Sequence, residues 1–121
     1  MPRNAPRILI VEDSYMVAME MKAHVEKCGC SAVGPVATVE DALEAVRQSD
    51  LDGAILDINL GEERVWPVAD LLEHQGVAFI LASGYASSEV PPRFRARRVL
   101  AKPVDARTVR AALAEIGLAE A

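Results

Sequence analysis

The chain has 121 residues, 51% of them hydrophobic but only 4% aromatic, and a formal net charge of −5. That length suits a single domain over residues 1–121 with a real core, the hydrophobic content excludes a disordered tail, and the acidic balance argues against a nucleic-acid partner. No apolar run approaches the roughly 20 residues of a membrane-spanning helix, and the first seven residues lack the apolar stretch of a signal peptide, so a cytoplasmic protein without membrane contact is expected.

Residues 8–11, Ile-Leu-Ile-Val, read as a strand, and Val17, Met21, Val25 and Cys28 at helical spacing predict a helix over 14–28. Cys28 and Cys30 supply at most half of a structural zinc site and are expected as free thiols in a reducing compartment. Val33, Val36 and Ala37 around Gly34-Pro35 predict a second strand over 31–37. Proline cannot donate to a sheet ladder, so this strand belongs at an edge. Thr38 is the expected N-cap of a helix running to about Gln48, with Glu40 and Asp41 in its first turn.

Residues 53–57, Gly-Ala-Ile-Leu-Asp, form the third strand. A loop over 58–63 leads to a helix ending near Gly76, with Trp66 and Pro67 at its start. Residues 77–82 form the fourth strand. In 86–97, Ser87-Ser88-Glu89 offers a fourth helix start that Pro91-Pro92 must break or delay. Arg93, Arg95, Arg97 and Arg98 make a basic cluster, read as a solvated face or protein contact. Residues 98–101 form the fifth strand, and Asp105 caps a last helix with Val109, Ala112, Leu113 and Ile116 on one face. His24 and His74 are expected to face solvent.

Alternating strands and helices predict a doubly wound α/β fold with helices on both faces of a five-stranded parallel sheet. The flavodoxin-like order 2-1-3-4-5 makes the second strand an edge, as Pro35 requires, and sets strands 1 and 3 side by side. Ligands in such sheets bind at the carboxyl ends of the strands. Glu12, Asp13, Asp57, Ser83 and Lys102 all lie at those ends.

Clustered carboxylates repel and raise one another's pKa. A hard divalent cation removes the conflict, and Mg²⁺ prefers oxygen ligands while keeping several waters. Asp13 and Asp57 are the expected direct ligands, with Glu12 acting through water and the backbone carbonyl of Asn59 completing the set. Asp57, expected exposed and ionised at its strand tip, is a candidate nucleophile for an aspartyl phosphate. Lys102, together with the cation, neutralises charge on a transferred phosphoryl group, and the Ser83 hydroxyl binds one of its oxygens.

Four segments in order, each ending a strand, carry a resemblance: Ile8-Leu9-Ile10-Val11-Glu12-Asp13, Leu56-Asp57-Ile58-Asn59-Leu60, Ala82-Ser83-Gly84 and Ala101-Lys102-Pro103. With them nearly the whole chain resembles a response-regulator receiver domain of two-component signalling. The resemblance implies that Asp57 takes a phosphoryl group from a sensor histidine kinase, that the acid pair holds Mg²⁺, that Lys102 contacts the phosphate and that Lys102-Pro103 is cis. Ser83 stands where threonine is commoner and keeps the hydroxyl. Val99 stands where a Tyr or Phe switch is usual, and Tyr85 is the expected substitute. The run Phe79–Tyr85 is similar to a subgroup of stand-alone receivers with Phe-Ala-Thr-Gly-Tyr here.

The reading is thus a signalling module, not an enzyme beyond its own phosphorylation and dephosphorylation. It is expected to act through the face of the fourth helix, fifth strand and fifth helix on a downstream or phosphotransfer protein, as shuttle, sink or feedback element. The short leader and the end soon after the last helix read as a stand-alone regulator. The alternatives are a receiver excised from a longer regulator or hybrid kinase, and a small Mg²⁺-dependent aspartyl-phosphate hydrolase. The hydrolase usually needs a second acid two residues after the nucleophile, where Asn59 stands.

Overall fold

The computed structural model describes residues 5–84 and 90–119. The chain runs β1 (Arg7–Val11), α1 (Tyr15–Lys27), β2 (Ser31–Val36), α2 (Val39–Gln48), β3 (Gly53–Asp57), β4 (Asn59–Leu60), β5 (Glu63–Arg64), α3 (Trp66–His74), β6 (Ala78–Ser83), β7 (Val99–Ala101) and α4 (Ala106–Glu115). The main sheet has five parallel strands in the order β2-β1-β3-β6-β7, the flavodoxin-like arrangement expected from the pattern.

Both faces of the sheet are covered, which is why β1 and β3 are apolar without alternation. Their side chains still divide by parity. Leu9, Val11, Ala54 and Leu56 pack with Ala42 and Val46 of α2 and Val68 and Leu72 of α3. Ile8, Ile10 and Ile55 pack with Met21 and Val25 of α1 and Val109 and Leu113 of α4. Three of the helices start at a capping side chain. Ser14, Thr38 and Asp105 cap α1, α2 and α4, their side chains accepting from the N–H groups of Val17, Asp41 and Thr108. Gly76, at φ +73°, ends α3.

β2 is an edge strand, as its proline demands. Its pairing with β1 shifts between Leu9 and Val11. Gly34 sits there at φ +91°. A Cβ on it would meet Val36 N at 2.9 Å and Ile10 O at 3.1 Å, so only glycine fits. Both Gly34-Pro35 and Lys102-Pro103 are cis.

Three expectations change. The segment after Asp57 is not a plain loop: β4 and β5 pair antiparallel, Asn59 with Arg64 and Leu60 with Glu63, around Gly61 at φ +64°. In the described part of the segment between β6 and β7, residues 90–97, there is no fourth α-helix. Pro91 is extended (φ −59°, ψ 149°) and only a 3-10 turn, Pro92–Phe94, follows, because a residue before proline is driven out of the α region. Helix-starting Ser87-Ser88-Glu89 and Tyr85 lie outside the described residues. Phe94 is buried and stacks on Trp66 at 5.8 Å and edge-on to Phe79 at 5.6 Å, which anchors the turn to α3 and β6. Third, His24 is partly buried rather than solvent-facing, and its Nδ1 has no hydrogen-bond partner; its helix, α1, packs against α4. His74 is exposed, in the last turn of α3.

Three arginines of the cluster are paired with acids. Arg93 donates two hydrogen bonds to Asp70, at 2.9 and 3.0 Å. Arg97 pairs with Glu73 and Arg98 with Glu115. Among the described residues no helix is long and apolar enough to cross a membrane.

Candidate functional site

The parallel register brings the strand ends level. Val11 pairs with Leu56, Asp57 with Ala82, and Ser83 with Ala101. Glu12 and Asp13 therefore emerge beside Asp57, and Lys102, whose N–H donates to Ser83 O at 3.0 Å, follows from the other side. Asp13, Asp57, Asn59, Gly61, Gly84 and Lys102 line one cleft of about 430 Å³.

Each carboxylate is held differently. Oxygens of Glu12, Asp13 and Asp57 all lie within 4.8 Å of one another. Asp57 Oδ1 accepts from Asn59 N–H at 3.3 Å. Glu12 Oε2 accepts from Ser14 N–H at 3.1 Å, so the cap of α1 also orients the acid. Asp13 Oδ2 accepts from Gly61 N–H at 2.9 Å. Lys102 Nζ bridges the two buried acids, 2.7 Å from Glu12 Oε1 and 3.1 Å from Asp57 Oδ2. Ser83 is buried at the end of β6.

Asp57 is not exposed at its strand tip, as the sequence suggested. It is 5% exposed, and Glu12 is 4% exposed. Burial, followed by the nearby Glu12 charge, pushes the Asp57 carboxyl up to about 7, while Lys102 pulls the other way. Burial tends to lower the Lys102 pKa, but its bonds to Glu12 and Asp57 prevail and hold it above the ordinary range. One ammonium thus serves two buried carboxylates, with a third, exposed carboxylate alongside. The donor set is all oxygen, and the remaining negative charge suits a small divalent cation. Asp13, Asp57 and Glu12 are the side chains able to hold it. Asn59 lines the same cleft and offers its backbone carbonyl.

The structure brings Glu12, Asp13, Asp57 and Lys102 together and places Ser83 at the adjoining end of β6, while Ser14 and Gly61, which aim Glu12 and Asp13, were not among the expected site residues. The signals were there: a cap residue directly after an acid pair, and a glycine in the turn after Asp57.

The sequence matches the response regulator receiver domain family over residues 8–114. It is similar to the phyllosphere-induced regulator PhyR of Methylorubrum extorquens, 36% identical over 93 residues that make up 74% of this chain and 33% of that protein. The chain thus spans about a third of the length of that relative. The solution structure of SdrG from Sphingomonas melonis Fr1 superimposes with a TM-score of 0.84 at 40% identity, covering 95% of this chain and 98% of that one. The BeF3-activated conformation of SdrG from Pseudomonas melonis Fr1 gives 0.77 at 41% identity, with 93% and 97% covered.

Proposed function

This chain belongs to the response regulator receiver domain family, and from that premise we propose that Asp57 accepts a phosphoryl group from a phosphohistidine of a sensor histidine kinase. The observation that carries the reading is the seat of Asp57: a buried carboxylate at the tip of β3, between Lys102 Nζ at 3.1 Å and two further acids within 4.8 Å. An Asp57 carboxylate oxygen forms the new bond to phosphorus as the phosphorus–nitrogen bond of the donor histidine breaks. Lys102 swings from the acids onto the incoming phosphoryl oxygens, where its charge is needed most as the transition state forms. Ser83, level with Ala101 across β6 and β7, supplies a hydroxyl to another of those oxygens. Asp13 and Asp57 would hold Mg²⁺ together with the Asn59 carbonyl, and Glu12 through water, with Glu12 and Asp13 fixed by the Ser14 and Gly61 N–H groups. Bound there, Mg²⁺ supplies positive charge that keeps Asp57 ionised and offsets the phosphoryl negative charge.

The BeF3-activated form described for the SdrG relative supports phosphorylation as the trigger, since beryllofluoride imitates a phosphoryl group. The match with the SdrG chain, at 40% identity, supports the same receiver chemistry in this chain. On this reading the protein works in the cytoplasm and passes its state by contact to a downstream or phosphotransfer protein, with no catalysis beyond its own phosphate chemistry. The hydrolase reading is weaker, because position 59 gives Asp57 a backbone N–H from asparagine and not a second carboxyl group.

The test is intact mass after incubation with Mg²⁺ and acetyl phosphate. One phosphate adduct is expected, lost in Asp57→Asn and when the cation is chelated. Phosphate retained by Asp57→Asn would overturn the assignment.

A further inference from the structure

We propose that Cys28 and Cys30 are a redox pair, oxidised reversibly to a disulfide by low-molecular-weight disulfides, and that this oxidation loosens the C-terminal turn from the sheet. The site lies at the amino ends of the strands, away from the acid cluster. Cys28 ends α1 and Cys30 immediately precedes β2. Gly29 between them is left-handed, at φ +82°. Two extended residue steps would separate the flanking Cα atoms by about 7 Å, at the outer limit for a disulfide. The left-handed turn at Gly29 shortens that span.

The two thiols have unequal surroundings. Cys28 is partly exposed and lines a cavity of about 510 Å³ with Lys27, Arg110 and Leu118. The two cations suit an anionic disulfide such as oxidised glutathione. Cys30 is 5% exposed. Its Sγ–H donates to Leu118 O at 3.3 Å, which ties the chain end to the start of β2. Burial, then the neighbouring Cys28, pushes the Cys30 thiol up.

The chemistry balances in two exchanges. The Cys28 thiolate attacks one sulfur of the small disulfide and expels one small thiolate, leaving a mixed disulfide. Cys30 then gives its proton to solvent and attacks the Cys28 sulfur, expelling the second small thiolate. The two cysteines lose two electrons, and the small disulfide becomes two thiols. Because the Cys30 thiol is buried, the second exchange is the slower one. Once oxidised, Cys30 has no hydrogen to donate, so the Leu118 carbonyl loses its partner.

The reduced protein, equilibrated with oxidised glutathione, acid-quenched and alkylated, should end with neither cysteine alkylated, no glutathione retained, and a peptide bridged between Cys28 and Cys30. Cys30→Ala should stop at a glutathione adduct on Cys28, and Cys28→Ser should keep Cys30 reduced. Amide exchange at Leu118, whose N–H donates to Leu113 O at 2.8 Å, should quicken about tenfold or more in the oxidised form. A native protein that keeps both thiols alkylatable, or that stops at the same adduct as Cys30→Ala, overturns the pair. Unchanged exchange at Leu118 overturns its coupling to the chain end.

Discussion

A buried carboxyl beside a second buried carboxyl is more stable protonated, and Asp57 is such a group, pushed up to about 7 first by burial and then by Glu12. Its folded-state pKa therefore lies above its unfolded value of about 3.9. Folding takes up a proton between those two values, so the stability this group lends is complete at low pH and is lost as pH rises through about 7. Without divalent cation, Asp57→Asn should flatten that slope and leave the variant more stable than the native chain at about pH 8, by about 1–3 kcal/mol in urea melts. A native protein that gains stability across this range would contradict the assigned environment. Lys102 is the counterpart. Lys102→Met leaves Glu12 and Asp57 without their shared ammonium, 2.7 and 3.1 Å away, and should cost about 3 kcal/mol at about pH 8. The loss should shrink near pH 5, where Asp57 neutralises itself, and a loss of equal size at both pH values would deny the shared-ammonium picture. Both identities were legible in the sequence, because a charge that directly follows an apolar run sits at a strand tip. Their depth was not legible. Asp57 is covered by neighbouring strand ends, and how far those reach is set by register across four strands, not by local residue type.

At the scale of the elements, what could be read depended on how local the cause was. The caps Thr38 and Asp105, the stop at Gly76 and the edge position of the Pro35 strand all follow from single residues, and each lies where expected. The β4–β5 hairpin did not announce itself, since its two-residue strands are too short for alternation to show. The proline pair at 91–92 explains locally why no helix starts there, but the 3-10 turn Pro92–Phe94 is anchored by tertiary contacts, Phe94 on Trp66 and Arg93 on Asp70, that no local window contains. Glycines give a sharp test at this scale. Gly34 and Gly76 both have positive φ, but a Cβ at Gly34 runs into backbone at 2.9 Å while one at Gly76 meets nothing within 4 Å. Gly76→Ala should lose about 1 kcal/mol from conformation alone. Gly34→Ala should lose about 2–4 kcal/mol, since strand β2 must also back away from β1. Chemical denaturation of the two variants ranks them, and equal losses would mean that the β1–β2 contact is looser than described.

The whole molecule behaves as a charge balance closed at one end of the sheet. Residues from four strand ends and the loops after them meet there, and the segments after β1, β3, β6 and β7 all feel the same cluster. A cation bound between Glu12, Asp13 and Asp57 binds the folded state only, because the unfolded chain does not hold the three carboxylates within 4.8 Å. It therefore stabilises by mass action, by about 2.7 kcal/mol when Mg²⁺ is at a hundred times its dissociation constant. For a chain of this size that raises Tm by about 10 °C. The shift should depend on pH, because Mg²⁺ competes with the proton on Asp57: large at about pH 8, and much smaller near pH 5, where the raised pKa keeps the proton in place. Asp13→Asn should reduce the shift at both pH values, since Asp13 is the exposed acid that lines the cleft. Calorimetric melts of the two proteins, with and without Mg²⁺ at the two pH values, give the answer. A Tm indifferent to Mg²⁺ at about pH 8, or a shift that Asp13→Asn leaves whole, would mean that the acids are balanced by Lys102 alone. In that case the cluster could not be the seat of a metal-assisted phosphoryl transfer.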